Sequence, residues 1–458
     1  MARRQTESIT EFMVEDVRCF EGEQRALLRP ITLLVGENST GKTSFLGCFR
    51  AVGELLRGPR YLFDSPRIDF NQEPFLMGSF REIVRSRRGR DGRINEFRLG
   101  VVANPPRRLG IAPYPIHFSF CERGSEPSIV SYRMQFTEHL HLEVKHESDS
   151  CTQVSTPSCT VALDTPFDLP PAFLFRLSHY AREKRRPGLG LEGVEAVSEL
   201  LSELRRLGRA AATDASPDYL EFADALVPSV PDLTSIAPLR SKPKRTYDPV
   251  RESASPDGEH VPMLMMRLDR TEKGQWDSLH DHLVDFAEQS GLFSDIKVKR
   301  HGKQMSDPFQ IQVKVRSGSH ANIMDVGYGV SQSLPILVHL MDDSKRPQTF
   351  LLQQPEVHLH PRGQAELASL FIQSCKERRN RFLIETHSDH VVDRVRISVR
   401  RGDLKHEDVS VLYFEPDRNS VRIRNLSLDK QGNLLDAPTG YRDFFLRETD
   451  RLLGFRDD

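Results

Sequence analysis

A glycine-rich stretch at residues 36–43 carries residue types that can bind the phosphates of a nucleotide. It fits the pattern G-x-x-x-x-G-K-[ST] at every fixed position. The glycines let the backbone turn tightly, so that successive N–H groups face one anion, and the N-terminus of a following helix adds partial positive charge. The pattern predicts a phosphate-binding loop with these contact residues: Gly36, Glu37, Asn38, Ser39, Thr40, Gly41, Lys42, Thr43 and Ser44.

Two side chains of this loop have individual roles in the prediction. Lys42 would reach the β- and γ-phosphates of ATP, and the Thr43 hydroxyl would be offered to Mg²⁺. The flanks agree, because residues 31–35 are a short apolar run of buried-strand type and apolar residues recur at helical spacing from Lys42 to Leu56. The alternative is an ordinary turn between strand and helix, which the four fixed residues and the flanks together disfavour.

Two later apolar runs, at 349–352 and 381–384, predict further buried strands with polar residues at their C-terminal ends. Open α/β sheets bind their ligands at that end of the strands, so these residues predict the second half of the site. A helix is predicted between the two strands, over 363–377. The polar residues concerned are Gln353, Gln354 and Glu356 after the first run, and Glu385, Thr386, His387 and Ser388 after the second.

A third loop precedes an apolar helical run at residues 323–337. It contains Gly327, Gly329, Ser331 and Gln332. Because this loop directly precedes the N-terminus of a predicted helix, we predict that it is a further phosphate-binding element.

Composition narrows the class of protein. The chain has 458 residues, 64 Lys and Arg against 65 Asp and Glu, and six cysteines without a C-x-x-C pair. Global charge therefore does not indicate a nucleic-acid partner, and sparse cysteines indicate a reducing compartment. The N-terminus has no apolar signal segment and no apolar run approaches the roughly 20 residues that span a bilayer. We expect a soluble, cytoplasmic protein without a membrane partner.

The pattern of elements predicts three regions. Residues 1–165 combine the phosphate loop with β-prone runs that suggest an antiparallel layer beside the nucleotide core. Residues 166–300 are predicted to be a mostly helical insertion, and residues 301–458 contain the later motifs. Within the insertion, the Pro- and charge-rich segment 228–262 is either a linker or an ordered loop that carries Arg240 and Arg245.

The motifs together resemble the ATP-binding-cassette (ABC) heads of SMC, RecF and OLD proteins, within the wider group of AAA family ATPases. Their order and spacing agree along the whole chain. The resemblance implies an α/β fold, an ABC-type P-loop ATPase head with an antiparallel β layer and a mostly helical insertion. The matching segments are 14–20 (N-terminal strand), 33–43 (Walker A), 326–332 (signature loop), 354–361 (Walker B and D-loop) and 385–388 (switch histidine).

The resemblance also implies a mechanism. Two heads would sandwich two ATP molecules, each site joining the Walker A loop of one protomer to Ser331 and Gln332 of the other. His387 would sense the γ-phosphate, and Gln72 is the candidate for the glutamine that touches Mg²⁺ and the attacking water. Residues 236–240 and 429–445 resemble one subgroup of short heads with an uncharacterised C-terminal domain, often found in bacterial anti-phage and mobile-element systems.

One departure from the family pattern affects the chemistry. The usual Asp-Glu pair of Walker B is replaced by Gln353 and Gln354. Glutamine keeps the shape and hydrogen bonding, so Gln353 could contact Mg²⁺ through water and Gln354 could orient the attacking water, but an amide cannot act as a general base. Glu356 and Glu385 are nearby carboxylates that could substitute. We therefore expect ATP binding with slow hydrolysis.

Three functions are open as hypotheses. The first is an ATP-dependent, oligomeric sensor that controls a separately encoded effector, such as a nuclease, in anti-phage defence, since no Toprim nuclease constellation follows Val411. The second is a DNA-repair ATPase of RecF type that binds DNA through basic clusters such as 81–93 and 297–303. The third is a scaffold that ATP only holds together. The His-x-His at 358–360 is a weaker metal candidate, because extended backbone would place its side chains on opposite faces.

Overall fold

The computed structural model describes most of the chain, including every segment predicted for the nucleotide site. The described residues are 9–57, 68–86, 94–148, 151–158, 160–164, 197–206, 222, 225–228, 230–248, 254–304, 306–341 and 347–438.

A seven-stranded sheet of described strands forms the centre of the molecule, with the order β10-β14-β15-β3-β16-β17-β18. The strands from β10 to β16 run parallel, and β17 and β18 are antiparallel additions. All residues of β14 and the first five of β3 are buried, which explains why these strands are nearly continuous apolar runs. The strands are β3 (Ile31–Gly36), β10 (Asp232–Ile236), β14 (Gln348–Gln353), β15 (Arg381–Glu385), β16 (Val409–Asp417), β17 (Ser420–Leu428) and β18 (Leu434–Leu435).

An antiparallel sheet of eight described strands forms a second layer, with the order β2-β1-β4-β5-β6-β7-β8-β9. Buried and half-exposed residues alternate along β5, the pattern of a sheet with one face on a core. The strands are β1 (Ile9–Glu15), β2 (Glu23–Leu27), β4 (Glu96–Ala103), β5 (Tyr114–Arg123), β6 (Glu126–Gln135), β7 (His141–Ser148), β8 (Cys151–Ser155) and β9 (Thr160–Asp164).

The helix that follows the glycine-rich loop packs between the two layers. On one side, the rings of Phe45 and Phe49 meet Phe12 of β1 edge-on, with centroids 5.1 and 5.3 Å apart. On the other side, Phe45 meets Phe414 of β16 at 5.6 Å. The helix is α1 (Lys42–Arg57), and its buried aromatic contacts fix the direction in which its N-terminus points.

A second core covers the opposite face of the central sheet. Helix α5 is buried from Val330 to Met341, so it is an apolar helix rather than an amphipathic one. Three further described strands form a small antiparallel sheet beside the helices of residues 261–290. They are β11 (Asp295–Arg300), β12 (Phe309–Lys314) and β13 (His320–Asn322). The helices after α1 are α2 (Phe80–Ile83), α3 (Val261–Thr271), α4 (Lys273–Ser290), α5 (Tyr328–Met341), α6 (Pro361–Arg378) and α7 (Asp389–Arg401), with short 3₁₀ turns at Arg107–Leu109, Ile323–Asp325 and His406–Asp408.

The α/β fold with an antiparallel layer is confirmed, as are the strands and helices predicted around the motifs. Part of the predicted insertion belongs to the central fold, because β10 extends the parallel sheet through β14 and the helices of 261–290 pack in the second core. The described residues include a helix at 197–206, while most of 166–228 and the predicted C-terminal helix lie outside them. The three region boundaries stay predictions. No helix in the described part of the chain is both long and apolar enough to cross a membrane.

Candidate functional site

The glycine-rich loop lies between the end of β3 and the start of α1. Gly36, Ser39 and Gly41 have positive φ angles of 140°, 63° and 85°. A Cβ on Gly36 would be 2.7 Å from the carbonyl oxygen of Phe414, and one on Gly41 would be 2.4 Å from the Sγ of Cys19. Backbone conformation and crowding therefore both require glycine at these two positions.

Lys42 is folded into this loop and is 3% exposed. Its Nζ donates to the carbonyl oxygens of Gly36 at 3.1 Å and Glu37 at 2.6 Å. Burial lowers the pKa of Lys42, and the nearby Glu385 and Glu37 oppose that shift. The cation is thus held at the α1 N-terminus, whose first N–H groups have no partner within the helix. An anion bound there would face both sources of positive charge.

The remaining loop residues are either tied to the fold or open to solvent. The Thr40 hydroxyl donates to the Glu37 carbonyl oxygen at 2.9 Å, while Asn38 is exposed. Ser44 accepts a hydrogen bond of 2.8 Å from Arg18, which reaches it from the turn after β1. Hydrogen bonds within the loop, and one from the turn after β1, therefore hold the loop in place.

The polar residues predicted at two strand ends do lie on one edge of the sheet. Gln353 of β14 is in register with Glu385 of β15, and Glu385 is in register with Leu34 of β3. Registered residues on parallel strands project to the same face, so the side chains of Gln353 and Glu385 are neighbours. Because β15 lies between β14 and β3, Glu385 is one strand closer to the phosphate loop than Gln353 is.

Glu385 contacts the loop directly. The Thr43 hydroxyl donates to Glu385 Oε2 at 2.9 Å, and Glu385 is 6% exposed. Burial raises the pKa of Glu385, while the Thr43 hydrogen bond and the Lys42 charge partly offset the shift. A bound cation would compensate the desolvated carboxylate.

Glu356 is a second buried carboxylate, placed by the turn after β14. Its Oε1 accepts a hydrogen bond from the backbone N–H of His387 at 2.8 Å, while its Oε2 is buried without a hydrogen-bond partner among the described residues. Burial raises the pKa of Glu356, and burial together with the Lys42 charge lowers the pKa of His387. A carboxylate that holds protons at higher pH is suited to acid–base work near neutrality.

The two glutamines that replace the usual Walker B acids have different surroundings. Gln354 has a φ of 42°, and its N–H donates to the Glu385 carbonyl oxygen at 2.8 Å. Its own carbonyl oxygen accepts from Arg240 Nη2 at 3.2 Å. Gln353 is buried, and its side-chain oxygen has no hydrogen-bond partner in the described structure. The strand end is therefore fixed by its neighbours and leaves one amide oxygen available.

The signature-like loop leads into α5 and is anchored within its own protomer. Ser331 Oγ donates to the Tyr328 carbonyl oxygen at 3.1 Å. Gln332 exchanges hydrogen bonds of 3.3 Å with the backbone of Arg240. Across the described residues, no hydrogen bond joins Ser331 or Gln332 to the phosphate loop 36–44 of the same chain.

In the described structure Gln72 is hydrogen-bonded to Arg50 and not to Thr43. The Gln72 side-chain oxygen accepts from Nε and Nη2 of Arg50, at 3.2 and 3.0 Å. Arg50 lies seven residues after Thr43 on α1, about 10 Å along the helix axis. The predicted contact of Gln72 with Mg²⁺ stays a prediction, and it would require Gln72 to leave Arg50.

The His-x-His sequence lies on the turn before α6. His358 has a φ of 68° and its ring lies 6.1 Å from that of Tyr328. His360 is the N-cap of α6, where Nδ1 accepts from the Arg362 N–H at 3.3 Å. Among the described residues, no three His, Cys, Asp or Glu side chains are grouped so as to hold a metal ion.

The sequence left the roles of two residues of the site open. Glu385 was named only as one of two carboxylates that could substitute for the missing acids, and Arg240 only as a residue carried by a linker or an ordered loop. Glu385 and Arg240 are both buried, whereas most charged residues of a protein are exposed, and this burial marks them as candidates for a role in the site. For Glu385 the signal available in the sequence was a charged residue at the C-terminal end of a predicted buried strand.

Comparison with known proteins identifies a family. The family described as "AAA domain, putative AbiEii toxin, Type IV TA system" matches residues 31–393, which include every element of the site. No curated protein matches the chain.

Solved structures of SMC heads are similar over most of the chain, at low identity. An SmcHead bound to the C-winged helix domain of ScpA has 11% identity and a TM-score of 0.45, covering 92% of this chain and 99% of that one. An Smc head with an extended coiled coil bound to the C-terminal domain of ScpA, from Pyrococcus furiosus, has 12% identity and a TM-score of 0.42, covering 98% and 100%. The SMC head domain from Thermotoga maritima has 9% identity and a TM-score of 0.37, covering 92% and 100%. Because these scores are below 0.5, the fold assignment rests on the strand order, the two layers and the loop between β3 and α1.

Proposed function

The chain belongs to this AAA domain family, and we propose that it is an ATP-binding switch that hydrolyses ATP slowly and assembles head to head when ATP is bound. One observation carries the proposal. The phosphate loop with Lys42 and Thr43, the two buried carboxylates Glu356 and Glu385, and His387 all meet at one edge of the parallel sheet. Phosphate binding and water activation both need groups at that edge.

The loop residues would hold the nucleotide. Backbone N–H groups of residues 36–44 and the Lys42 ammonium would bind the phosphates, and Thr43 would hold Mg²⁺. The fit for a cation is good, since a hydroxyl and a desolvated carboxylate are 2.9 Å apart and the amide oxygen of Gln353 beside them has no described hydrogen-bond partner. When bound, Mg²⁺ neutralises charge on the β- and γ-phosphates.

Slow hydrolysis is expected from the residues beside the γ-phosphate position. Gln354 can orient a water molecule but cannot accept its proton. Glu356 can accept the proton, and its Oε2 has no other hydrogen-bond partner in the described structure. It lies two residues beyond the usual position of the base, on a turn instead of at the strand end, so we expect the attacking water to be less well placed.

Pairing of two heads is supported by the exposure of Gly327 and Tyr328 at the start of α5. Ser331 and Gln332 are buried one turn further on and are hydrogen-bonded within their own protomer. The exposed N-terminus of this helix can therefore face a phosphate supplied by a second copy of the chain. We propose that each ATP would join the loop at 36–44 of one protomer to the start of the helix that carries Ser331 and Gln332 in the other.

The biological role is proposed from the resemblance of the sequence to short heads in bacterial anti-phage systems. The switch would regulate a separately encoded effector, such as a nuclease, in response to infection. In the alternative role, that of a RecF-like DNA-maintenance ATPase, the protein would bind DNA directly.

The test is the molar mass in solution by light scattering, with and without Mg²⁺ and ATP, while phosphate release is assayed in the same samples. We expect ATP-dependent assembly with little release. Lys42→Ala should lose both ATP binding and assembly, and unchanged ATP affinity in this variant would remove the phosphate loop from the proposal. Steady release that added DNA stimulates would instead favour the DNA-maintenance role.

A further inference from the structure

The carboxylate nearest to the proposed Mg²⁺ ligand does not come from the strand that usually supplies it. Thr43 Oγ1 is hydrogen-bonded to Glu385 of β15 at 2.9 Å. The residue at the end of β14, which would be the acid of Walker B, is the neutral Gln353. The negative charge of the site is therefore displaced by one strand, toward β3.

We propose that Glu385 supplies the carboxylate that holds the Mg²⁺ of the bound nucleotide, in place of the missing acid on β14. This inference rests on the proposed function, since it concerns the metal that would accompany ATP. The sequence left open whether Glu356 or Glu385 substitutes, and for which of the two missing acids; the inference assigns the metal to Glu385.

The spacing of the two oxygens fits an octahedral cation. Mg²⁺ binds oxygen ligands at about 2.1 Å with near-ideal octahedral angles, so two adjacent ligands are about 3.0 Å apart. The 2.9 Å between Thr43 Oγ1 and Glu385 Oε2 agrees with that edge. A cation that replaces this hydrogen bond can thus be bound by both oxygens without a movement of α1 or β15.

Electrostatics point the same way. Glu385 is 6% exposed and is close enough to Lys42 for the two charges to influence each other. Lys42 is also committed to the backbone carbonyl oxygens of its own loop. A divalent cation beside Glu385 would therefore compensate a desolvated charge that one shared ammonium only partly offsets.

The competing candidates are less suited to hold the metal. Gln353 has an available oxygen but no charge. Gln72 is bonded to Arg50, and one oxygen of Glu356 is bonded to the His387 N–H instead of to the loop. Of these side chains, Glu385 alone combines a negative charge with a contact to Thr43.

The experiment compares two matched substitutions, Glu385→Gln and Glu356→Gln, each of which removes one buried carboxylate from the same edge of the sheet. Binding of a fluorescent ATP analogue is first measured in EDTA. Binding of Mn²⁺ to the protein–nucleotide complex is then titrated by electron paramagnetic resonance, with ATPγS as the nucleotide.

Glu385→Gln is expected to bind nucleotide in EDTA at least as tightly as the wild type does, because a negative charge beside Lys42 is removed, and to lose about tenfold to a hundredfold in Mn²⁺ affinity. Glu356→Gln is expected to keep the wild-type Mn²⁺ affinity. Wild-type Mn²⁺ affinity in Glu385→Gln would overturn the assignment, and so would a loss confined to Glu356→Gln. A wild-type protein that binds no nucleotide in EDTA or with metal would instead overturn the proposed function, and the assignment with it.

Folding of both variants is checked by circular dichroism before binding is measured. If Glu385→Gln does not fold, Glu385→Asp replaces it, because this change keeps the charge and withdraws the carboxylate by one methylene. A lower Mn²⁺ affinity in Glu385→Asp would support the assignment, whereas an unchanged affinity would contradict it.

Discussion

Gln332 and Arg240 exchange hydrogen bonds, and through them the start of α5 is tied to the end of β14. The Arg240 N–H donates to Gln332 Oε1 and the Gln332 amide donates back to the Arg240 carbonyl oxygen, both at 3.3 Å. The Arg240 guanidinium meanwhile donates to the Gln354 carbonyl oxygen at 3.2 Å. Arg240 thus joins the loop at 326–332 to the turn after β14 within one protomer. In the proposed dimer these two segments would contact different ATP molecules.

Burying the Arg240 guanidinium costs free energy of desolvation. Arg240 is 5% exposed, and its Nε and Nη1 have no hydrogen-bond partners in the described structure. Burial lowers the pKa of Arg240 to about 10. Removing one member of a buried charge pair typically destabilises a protein by about 3–5 kcal/mol, because the other charge is left uncompensated. Glu356 is that other charge, since burial raises the pKa of Glu356 and the charge of Arg240 opposes that shift.

We therefore predict that Arg240→Met will be less stable than the wild type by about 3–5 kcal/mol in urea unfolding, and that ATP-dependent assembly measured by light scattering will weaken. Arg245→Met is the control, since Arg245 forms an exposed ion pair with Asp325 at 2.6 Å. Exposed pairs contribute about 0–1 kcal/mol. Normal assembly of Arg240→Met would show that Arg240 only stabilises its own protomer, and wild-type stability of this variant would show that its charge does not compensate Glu356.

A bulky charge at the start of α5 should block the pairing of heads. Ser331 is itself buried, so an arginine there would disturb its own protomer. Gly327 is exposed, and a Cβ on it would meet nothing within 4 Å. We predict that Gly327→Arg will bind ATP normally and remain monomeric by light scattering.

Gly274 provides the matched control for that substitution. It is also exposed with nothing within 4 Å of its Cβ position, and it lies on α4. Gly274→Arg should assemble as the wild type does. Normal ATP-dependent assembly of Gly327→Arg would contradict a role of this loop in pairing.

Removal of the proposed base should slow hydrolysis without weakening nucleotide binding. General bases contribute about 10²–10⁴-fold to rates, so Glu356→Gln should lower phosphate release by at least about a hundredfold. ATP affinity, measured with a fluorescent analogue, should change little because Glu356 is not bonded to the loop at 36–44. An unchanged turnover rate would exclude Glu356 from the mechanism.

The buried carboxylate of Glu385 should make stability depend on pH. Its ordinary pKa of 4.5 applies to the unfolded chain, and burial raises the pKa in the folded protein. Below pH 4.5 both states hold the proton, and as the pH rises from there the unfolded state releases it first. The contribution of this group to the unfolding free energy therefore falls until the pH passes the folded-state value, and is constant above it.

The measurement is urea unfolding of the wild type and of Glu385→Gln between about pH 4 and pH 8, without nucleotide or divalent cations. Since the amide does not titrate, the stability of the variant relative to the wild type should increase with pH from about 4.5 upward. A difference that is constant or falls with pH would show that the folded-state pKa of Glu385 is not raised.

Local sequence determined much of this protein. The fixed residues of the loop at 36–43 require a tight turn between a buried strand and a helix, and φ angles of 140° at Gly36 and 85° at Gly41 agree with that requirement. Apolar runs with polar ends located β14 and β15, because strands buried on both faces must be apolar and can carry polar groups only where they end. These are short-range constraints, so one stretch of chain is enough to reveal each of them.

Tertiary structure decided which of the polar groups meet. The register of Gln353 with Glu385 and the position of β15 next to β3 bring Glu385 to Thr43, 342 residues away in sequence. The same packing buries Arg240 against the start of α5. No local pattern encodes these pairings, because a strand's own residues specify which side chains face the core but not which strand lies beside it. The order of the strands in the folded sheet therefore determines which carboxylate can serve the nucleotide.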